Sequence, residues 1–205
     1  MRILLPDTGS GPGVVVAHAW WGLNATIIAY GEALAAAGFV VALPDVFDGR
    51  VAVSIEEAQA LADTAWSPDA TTVYVDAVRK LAEHPAVTSP RIGMVAFSYG
   101  GYFALGLAGH PNLPLGGIAT YYATRDLPET HVPVLAHFAT SDAFESGESM
   151  EELATHLTAR GEPGGAHFYP GTSHWFAEAD RIEHVPEAAA LALDRTVQFL
   201  RAVTA

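Results

Sequence analysis

Cysteine is missing from this chain of 205 residues, which excludes disulfides, thiolate zinc sites and a cysteine nucleophile. Cations are scarce: 10 Lys and Arg stand against 23 Asp and Glu, for a net charge of −13. They are scattered, with no Lys/Arg cluster, which argues against nucleic acid and anionic membranes as partners. The acidic excess reads as a solubility device, with a cationic substrate as the sharper alternative. No run approaches the ~18 apolar residues of a membrane span. The N-terminal MRILLPDTGSGPG breaks at Pro6 after three apolar residues, so it reads as neither a signal peptide nor a span, and a cytoplasmic protein is expected. No His-x-x-x-His or Glu-x-x-His pattern with a third ligand suggests a metal, and no cofactor is expected.

Half of the residues are hydrophobic and 16% are charged, which suits one compact domain over residues 1–205. Short apolar runs at Gly13–His18, Phe39–Leu43, Arg91–Phe97, Gly116–Tyr121, Val134–Ala139 and Ala166–Tyr169 read as strands. Helices are predicted over Thr26–Ala37, closed by Gly38, and from a Ser54–Glu57 capping box with Ala58, Leu61 and Ala65 inward. Further helices fall at Thr72–His84, Met150–Ala159 and Glu187–Val203, the last with Ala190, Leu193, Val197 and Leu200 as its inner stripe. Strand and helix therefore alternate, predicting an α/β fold: a mainly parallel sheet, helices on both faces, and function at the carboxyl ends of the strands.

One junction carries chemistry. In GMVAFSYGGY a buried strand delivers Ser98 into a glycine pair, with Ala96 and Gly100 flanking it in a small-x-Ser-x-small pattern. A serine here also reads as an ordinary helix N-cap. It equally fits the sharp turn of a nucleophile elbow, in which the chain order runs serine, acid, histidine. A serine hydroxyl needs a base, and the base needs a carboxylate to orient it. Asp142 lies just past the strand VPVLAHFA; Asp126 would come from the wrong loop and Glu145 lies further along. His174, in YPGTSHWF, is the histidine after the following strand, whereas His137 and His167 fall within strands. The order selects Ser98, Asp142 and His174.

The oxyanion hole is expected from the backbone N–H of Tyr99 and of Trp20, in the early loop HAWWGLN where Gly22 allows the turn. Trp20, Trp21 and Trp175 then crowd the pocket, implying an apolar acyl or alcohol group. His18 is read as a hydrogen-bonding support for that loop.

VVVAHAWWGLN, ALPDVF, GMVAFSYGGYFAL, HFATSDAF, YPGTSHWFAEAD and AAALALDRTVQFL, in that order, resemble the dienelactone hydrolase family of α/β-hydrolases over most of the chain. The resemblance implies the same triad, Ser98, Asp142 and His174, with Phe47 and Arg50 of PDVFDGR, Trp21, Trp175 and Glu178 about the substrate. It also implies differences. The family's prototypes use a cysteine where Ser98 stands and a glutamate where Ala19 stands. They carry a substrate-binding arginine where Glu178 falls, and a second to which Arg50 is displaced by one position. The expectation is a serine hydrolase of small esters or lactones, neutral or cationic near the scissile bond, as a monomer or small homo-oligomer. The alternatives are a thioesterase or short-peptide hydrolase with this triad, or a non-catalytic ligand-binding member of the fold.

Overall fold

Valine, isoleucine and alanine runs without polar alternation suit strands covered on both faces, as in a parallel sheet flanked by helices. In the computed structural model, which describes residues 1–65 and 69–205, they form one. The strands are β1 (Arg2–Leu4), β2 (Gly13–Ala17), β3 (Val40–Leu43), β4 (Ile92–Phe97), β5 (Leu115–Tyr121), β6 (Val134–Ser141) and β7 (Gly165–Ser173). Their order is β1-β3-β2-β4-β5-β6-β7; β1 runs antiparallel to β3 and every other neighbour is parallel. Every residue of β2, β3, β4 and β5 is buried.

The helices are α1 (Ala25–Ala36), α2 (Ile55–Thr64), α3 (Asp69–Ala82), α4 (Tyr99–Leu107), α5 (Gly147–Arg160) and α6 (Pro186–Val203). Side chains alternate across a strand, so each strand feeds two cores. Val15, Met94, Ile118 and Phe138 meet Tyr74, Leu81, Phe103 and Leu153 of α3, α4 and α5. Val14, Val16, Val95 and Tyr121 meet Ile27, Leu34, Phe199 and Leu200 of α1 and α6. Among the described residues no helix is long and apolar enough to cross a membrane.

Local chemistry sets the helix starts. Asn24 Oδ1 accepts from Ile27 N–H at 3.0 Å, and Ser54 Oγ accepts from Glu57 N–H at 3.2 Å. Glu57 returns to the N–H of Val53 at 2.8 Å, so the predicted capping box closes one residue early. Two stripes differ from the sequence reading. In α2, Ala58 and Ala65 are buried as expected, but Ala62 joins them and Leu61 is only half-buried. In α6, Ala190 is exposed and the buried stripe is Ala192, Thr196, Phe199, Leu200 and Val203. Apolar periodicity misplaces it because a polar residue holds an inward position: Thr196 Oγ1 lies 3.0 Å from both Tyr121 OH and His137 Nε2. The chain also adds β1 ahead of Pro6 and carries β7 past Tyr169 to Ser173.

Parallel strands end on one edge, and that edge collects the chemistry. β2 delivers His18, β4 Ser98, β5 Tyr122, β6 Asp142 and β7 His174.

Candidate active site

Ser98 leaves β4 with φ 45° and ψ −111°, a conformation costing a non-glycine residue on the order of 1–3 kcal/mol. Its N–H donates to Tyr121 O at 2.9 Å, and its carbonyl accepts from Tyr102 N–H at 3.0 Å. Gly100 permits the turn: a Cβ there would sit 2.6 Å from His18 O and 2.9 Å from Ala17 O. The Ser98 side chain caps no backbone N–H of α4, so the N-cap reading does not describe it. Instead Oγ lies 2.8 Å from His174 Nε2, and Ser98 stays half-buried and reachable.

His174 is buried, and its Nδ1 lies 2.8 Å from both Asp142 oxygens. Asp142 Oδ1 also accepts the N–H groups of Phe144 (2.8 Å) and Glu145 (3.0 Å). Burial alone would raise the Asp142 pKa; the hydrogen bond and charge of His174, with the two N–H groups, outweigh it and hold the carboxyl below its usual range. The other nearby carboxyl is committed elsewhere. Glu145 accepts from Thr124 through its N–H and its hydroxyl, and burial, with the charge of Asp142, pushes it up to about 7. The structure thus brings together the three residues selected by chain order.

Beneath His174 lies a sealed pair. The Tyr122 ring, at positive φ (41°), is 4.8 Å from the imidazole, and its hydroxyl donates to Glu178 Oε1 at 2.8 Å. Glu178 is fully buried, which raises its pKa to about 8 despite the Tyr122 hydrogen bond and the charge of Arg181. This corrects the sequence reading: Glu178 shows no surface to a substrate and carries no charge to it at neutral pH. Phe47 is likewise corrected. It is wholly buried, packed 5.0 Å from His18 and 5.6 Å from Tyr99 behind the elbow.

Above His174 the site is open and aromatic. Phe144 lies 4.8 Å from the imidazole, 4.9 Å from Trp175 and 5.6 Å from the half-buried Trp20, yet remains 49% exposed. Trp175, at φ 68°, sets its edge against His174 at 5.1 Å. Trp21 is buried behind it at 5.2 Å, with the Arg181 guanidinium 4.3 Å over its ring. Arg50 is exposed and donates Nε–H to Phe47 O at 2.9 Å. Phe144 and Tyr122 were not singled out from sequence; for Phe144 the available signal was an aromatic two residues beyond the acid.

The early loop is braced from below. His18 Nε2 accepts from Val46 N–H at 3.2 Å and Nδ1 lies 2.6 Å from Ala19 O, an arrangement that fixes the neutral ring with its proton on Nδ1. Burial lowers its pKa, against Ala19 and Asp45, which raise it. Gly22, at φ 90°, is needed because a Cβ would collide with Arg50 O.

A cleft of about 280 Å³ between the segment after β5 and α5, lined by Thr124, Arg125, Asp126, Leu127, Glu152 and His156, includes no triad residue. Among the described residues no three His, Asp or Glu side chains gather as a metal site would require.

A sequence model of the Dienelactone hydrolase family matches residues 2–204. A Bradyrhizobium protein described as "Probable 2-oxo-3-(5-oxofuran-2-ylidene)propanoate lactonase" is 28% identical over 210 residues, covering 95% of this chain and 85% of its own. Carboxymethylenebutenolidase of Pseudomonas putida is 26% identical over 208 residues, covering 95% and 87%. Among solved structures, a dienelactone hydrolase-like promiscuous phosphotriesterase from metagenomic libraries aligns with a TM-score of 0.82 at 18% identity, covering 99% and 92%. Esterase PE8 aligns at 0.70 and 20% identity, covering 98% and 97%. These likenesses in shape establish an α/β-hydrolase fold, and the sequence match over nearly the whole length places the chain in the dienelactone hydrolase family, as a hydrolase of esters or lactones.

Proposed function

We propose that the chain cleaves a carboxylic ester or lactone through an acyl-enzyme carried on Ser98. Asp142, held ionised, accepts the His174 Nδ1–H and so leaves Nε2 as the acceptor for the Ser98 hydroxyl proton. As Ser98 Oγ bonds to the carbonyl carbon, its proton passes to Nε2. Collapse of the tetrahedral intermediate breaks the bond to the alcohol oxygen, which takes that proton. Water then attacks the acyl-enzyme, gives a proton to Nε2 and releases the acid, and the proton returns to Ser98 Oγ. The oxyanion is received by the N–H of Tyr99, where the positive end of α4 faces it, and by that of Trp20, on the loop braced by His18.

The observation that carries this reading is the 2.8 Å contact between Ser98 Oγ and a His174 already oriented by Asp142. Ser98→Ala tests it. The folded variant is expected to lose p-nitrophenyl ester turnover by several orders of magnitude, and with it labelling by a fluorophosphonate probe. Near-wild-type turnover in folded Ser98→Ala would overturn the reading.

A further inference from the structure

We propose that Phe144 and Trp20 form the subsite for the alcohol portion of the ester, and that this portion is an uncharged planar group such as an arylmethyl. The inference rests on the serine-hydrolase reading and extends it to one side of the substrate.

The direction follows from proton delivery. The departing oxygen must receive its proton from His174 Nε2, while the oxyanion turns to the N–H groups of Trp20 and Tyr99. The alcohol therefore leaves on the histidine's side of the carbonyl. One aromatic neighbour of that ring, Tyr122, is fully buried. Another, Phe144, is half exposed. A group attached to the departing oxygen therefore finds exposed ring surface at Phe144 and none at Tyr122.

The chemistry follows from what stands there. Phe144 and Trp20 meet edge to face, with rings at 79° and centroids 5.6 Å apart. Trp175 closes the inner side of this corner, stacked on Trp20 at 6.2 Å and 29° and 4.9 Å from Phe144, which leaves the exposed side of Phe144 as the surface on which an incoming ring can stack or set its edge. The corner is fixed in advance. The Phe144 N–H is held by Asp142 Oδ1 at 2.8 Å, and its ring packs on both His174 and Trp175, so little rotamer freedom remains to be lost on binding. The neighbouring charges are turned away. Arg181 lies on the Trp21 face and pairs with Asp180 at 2.6 Å, and Glu145 accepts from Thr124.

The test measures kcat/KM, which reports acylation and hence the step in which the alcohol leaves, for three esters: methyl acetate, benzyl acetate and methyl phenylacetate. Methanol and benzyl alcohol are similar leaving groups, so the benzyl-to-methyl acetate ratio isolates binding on the alcohol side. Methyl phenylacetate puts the same ring on the acyl side. In Phe144→Ala the benzyl-to-methyl ratio should fall about 3- to 10-fold, the scale of one lost aromatic pair. Phe144→Leu should give an intermediate fall, and the phenylacetate-to-acetate ratio should hold in both. An unchanged benzyl-to-methyl ratio, with both acetates slowed together, would mean that the ring only steadies His174 and would overturn the proposal. So would a fall confined to methyl phenylacetate. Ser98→Ala keeps the two levels apart: if it is inactive while the Phe144→Ala ratio holds, only the subsite fails, and if it remains active, the nucleophile assignment fails too.

Discussion

Two aromatic neighbours of the His174 ring share nearly the same geometry and differ completely in their surroundings. Tyr122 and Phe144 each sit 4.8 Å away, tilted by 51° and 49°. Tyr122 is fully buried and its hydroxyl is spent on a buried carboxyl; Phe144 is 49% exposed and has no polar handle. One neighbour is sealed in the core and the other is open to solvent. The carboxyls near them divide in the same way. Asp142, at the histidine's edge, accepts two backbone N–H groups and the imidazole and stays ionised, whereas Glu178, with one hydroxyl and, among the described residues, no partner for Oε2, is pushed up to about 8. A negative charge is therefore retained where it can orient the base and suppressed where it could only destabilise the sealed pair.

Asp142→Asn breaks this division at its edge and should have the largest effect. The amide can keep an oxygen toward the Phe144 and Glu145 N–H groups, but its nitrogen then faces His174 Nδ1 and favours the tautomer with a proton on Nε2. Such a ring cannot accept from Ser98. Turnover should fall by about 10⁴ at neutral pH, with the fold retained. The measurement is kcat on a p-nitrophenyl ester beside a thermal melt. A loss below tenfold would show that another group orients His174.

Much of this arrangement was legible in the sequence, and what was not has physical causes. The elbow could be read because a buried strand, a serine and small residues on either side leave few alternatives, and chain order then selected Asp142 and His174. Fold class followed from apolar runs long enough for strands alone. The inward stripe of α6 was missed because Thr196 holds a buried position through hydrogen bonds to Tyr121 and His137, and periodicity counts only apolar residues. β1 was missed because it is three residues long with no buried position, so no hydrophobic signal exists. Glu178 was placed beside the substrate because a position in a motif carries no information about depth. Its partner Tyr122 lies 56 residues earlier, on a different strand end. Phe144 was missed for the converse reason, since its exposure depends on how Trp20 and Trp175 meet around it.

Glu178→Gln sharpens the comparison through pH. The carboxyl titrates near about 8 in the folded chain against an ordinary 4.5, mainly because it is buried; Asp180 and Glu183 push the same way, and Tyr122 and Arg181 push back. Between those two values the folded chain holds a proton that the unfolded chain has lost, so this group's contribution to stability falls as pH rises and levels off above about 8. From pH 5 to 8 the loss should be about 2–4 kcal/mol, at up to ~1.4 kcal/mol per pH unit. Glutamine cannot ionise but still offers Oε1 to Tyr122. Urea unfolding of both proteins should show the variant gaining on the wild type steadily from pH 5 to 8. A difference that stays constant over that range would mean Glu178 is already ionised in the fold.

Tyr122→Phe separates the two contacts of Tyr122 and should have the smallest effect. The ring against His174 is kept and only the hydroxyl is lost, which leaves Glu178 Oε1 buried without its donor, as Oε2 already is among the described residues. Removing one partner of a buried polar pair costs about 1–3 kcal/mol. The lost hydrogen bond also lowered the Glu178 pKa, so the pH at which stability levels off should move up in this variant. Esterase kcat/KM should be little changed, because the surface that meets the imidazole is intact. The decisive pairing is the thermal midpoint with kcat/KM on one sample. A lower midpoint with preserved activity places the hydroxyl in the sealed pair alone. Collapse of kcat/KM at an unchanged midpoint would show instead that the hydroxyl acts on His174, and that the sealed pair is part of the reacting machinery after all.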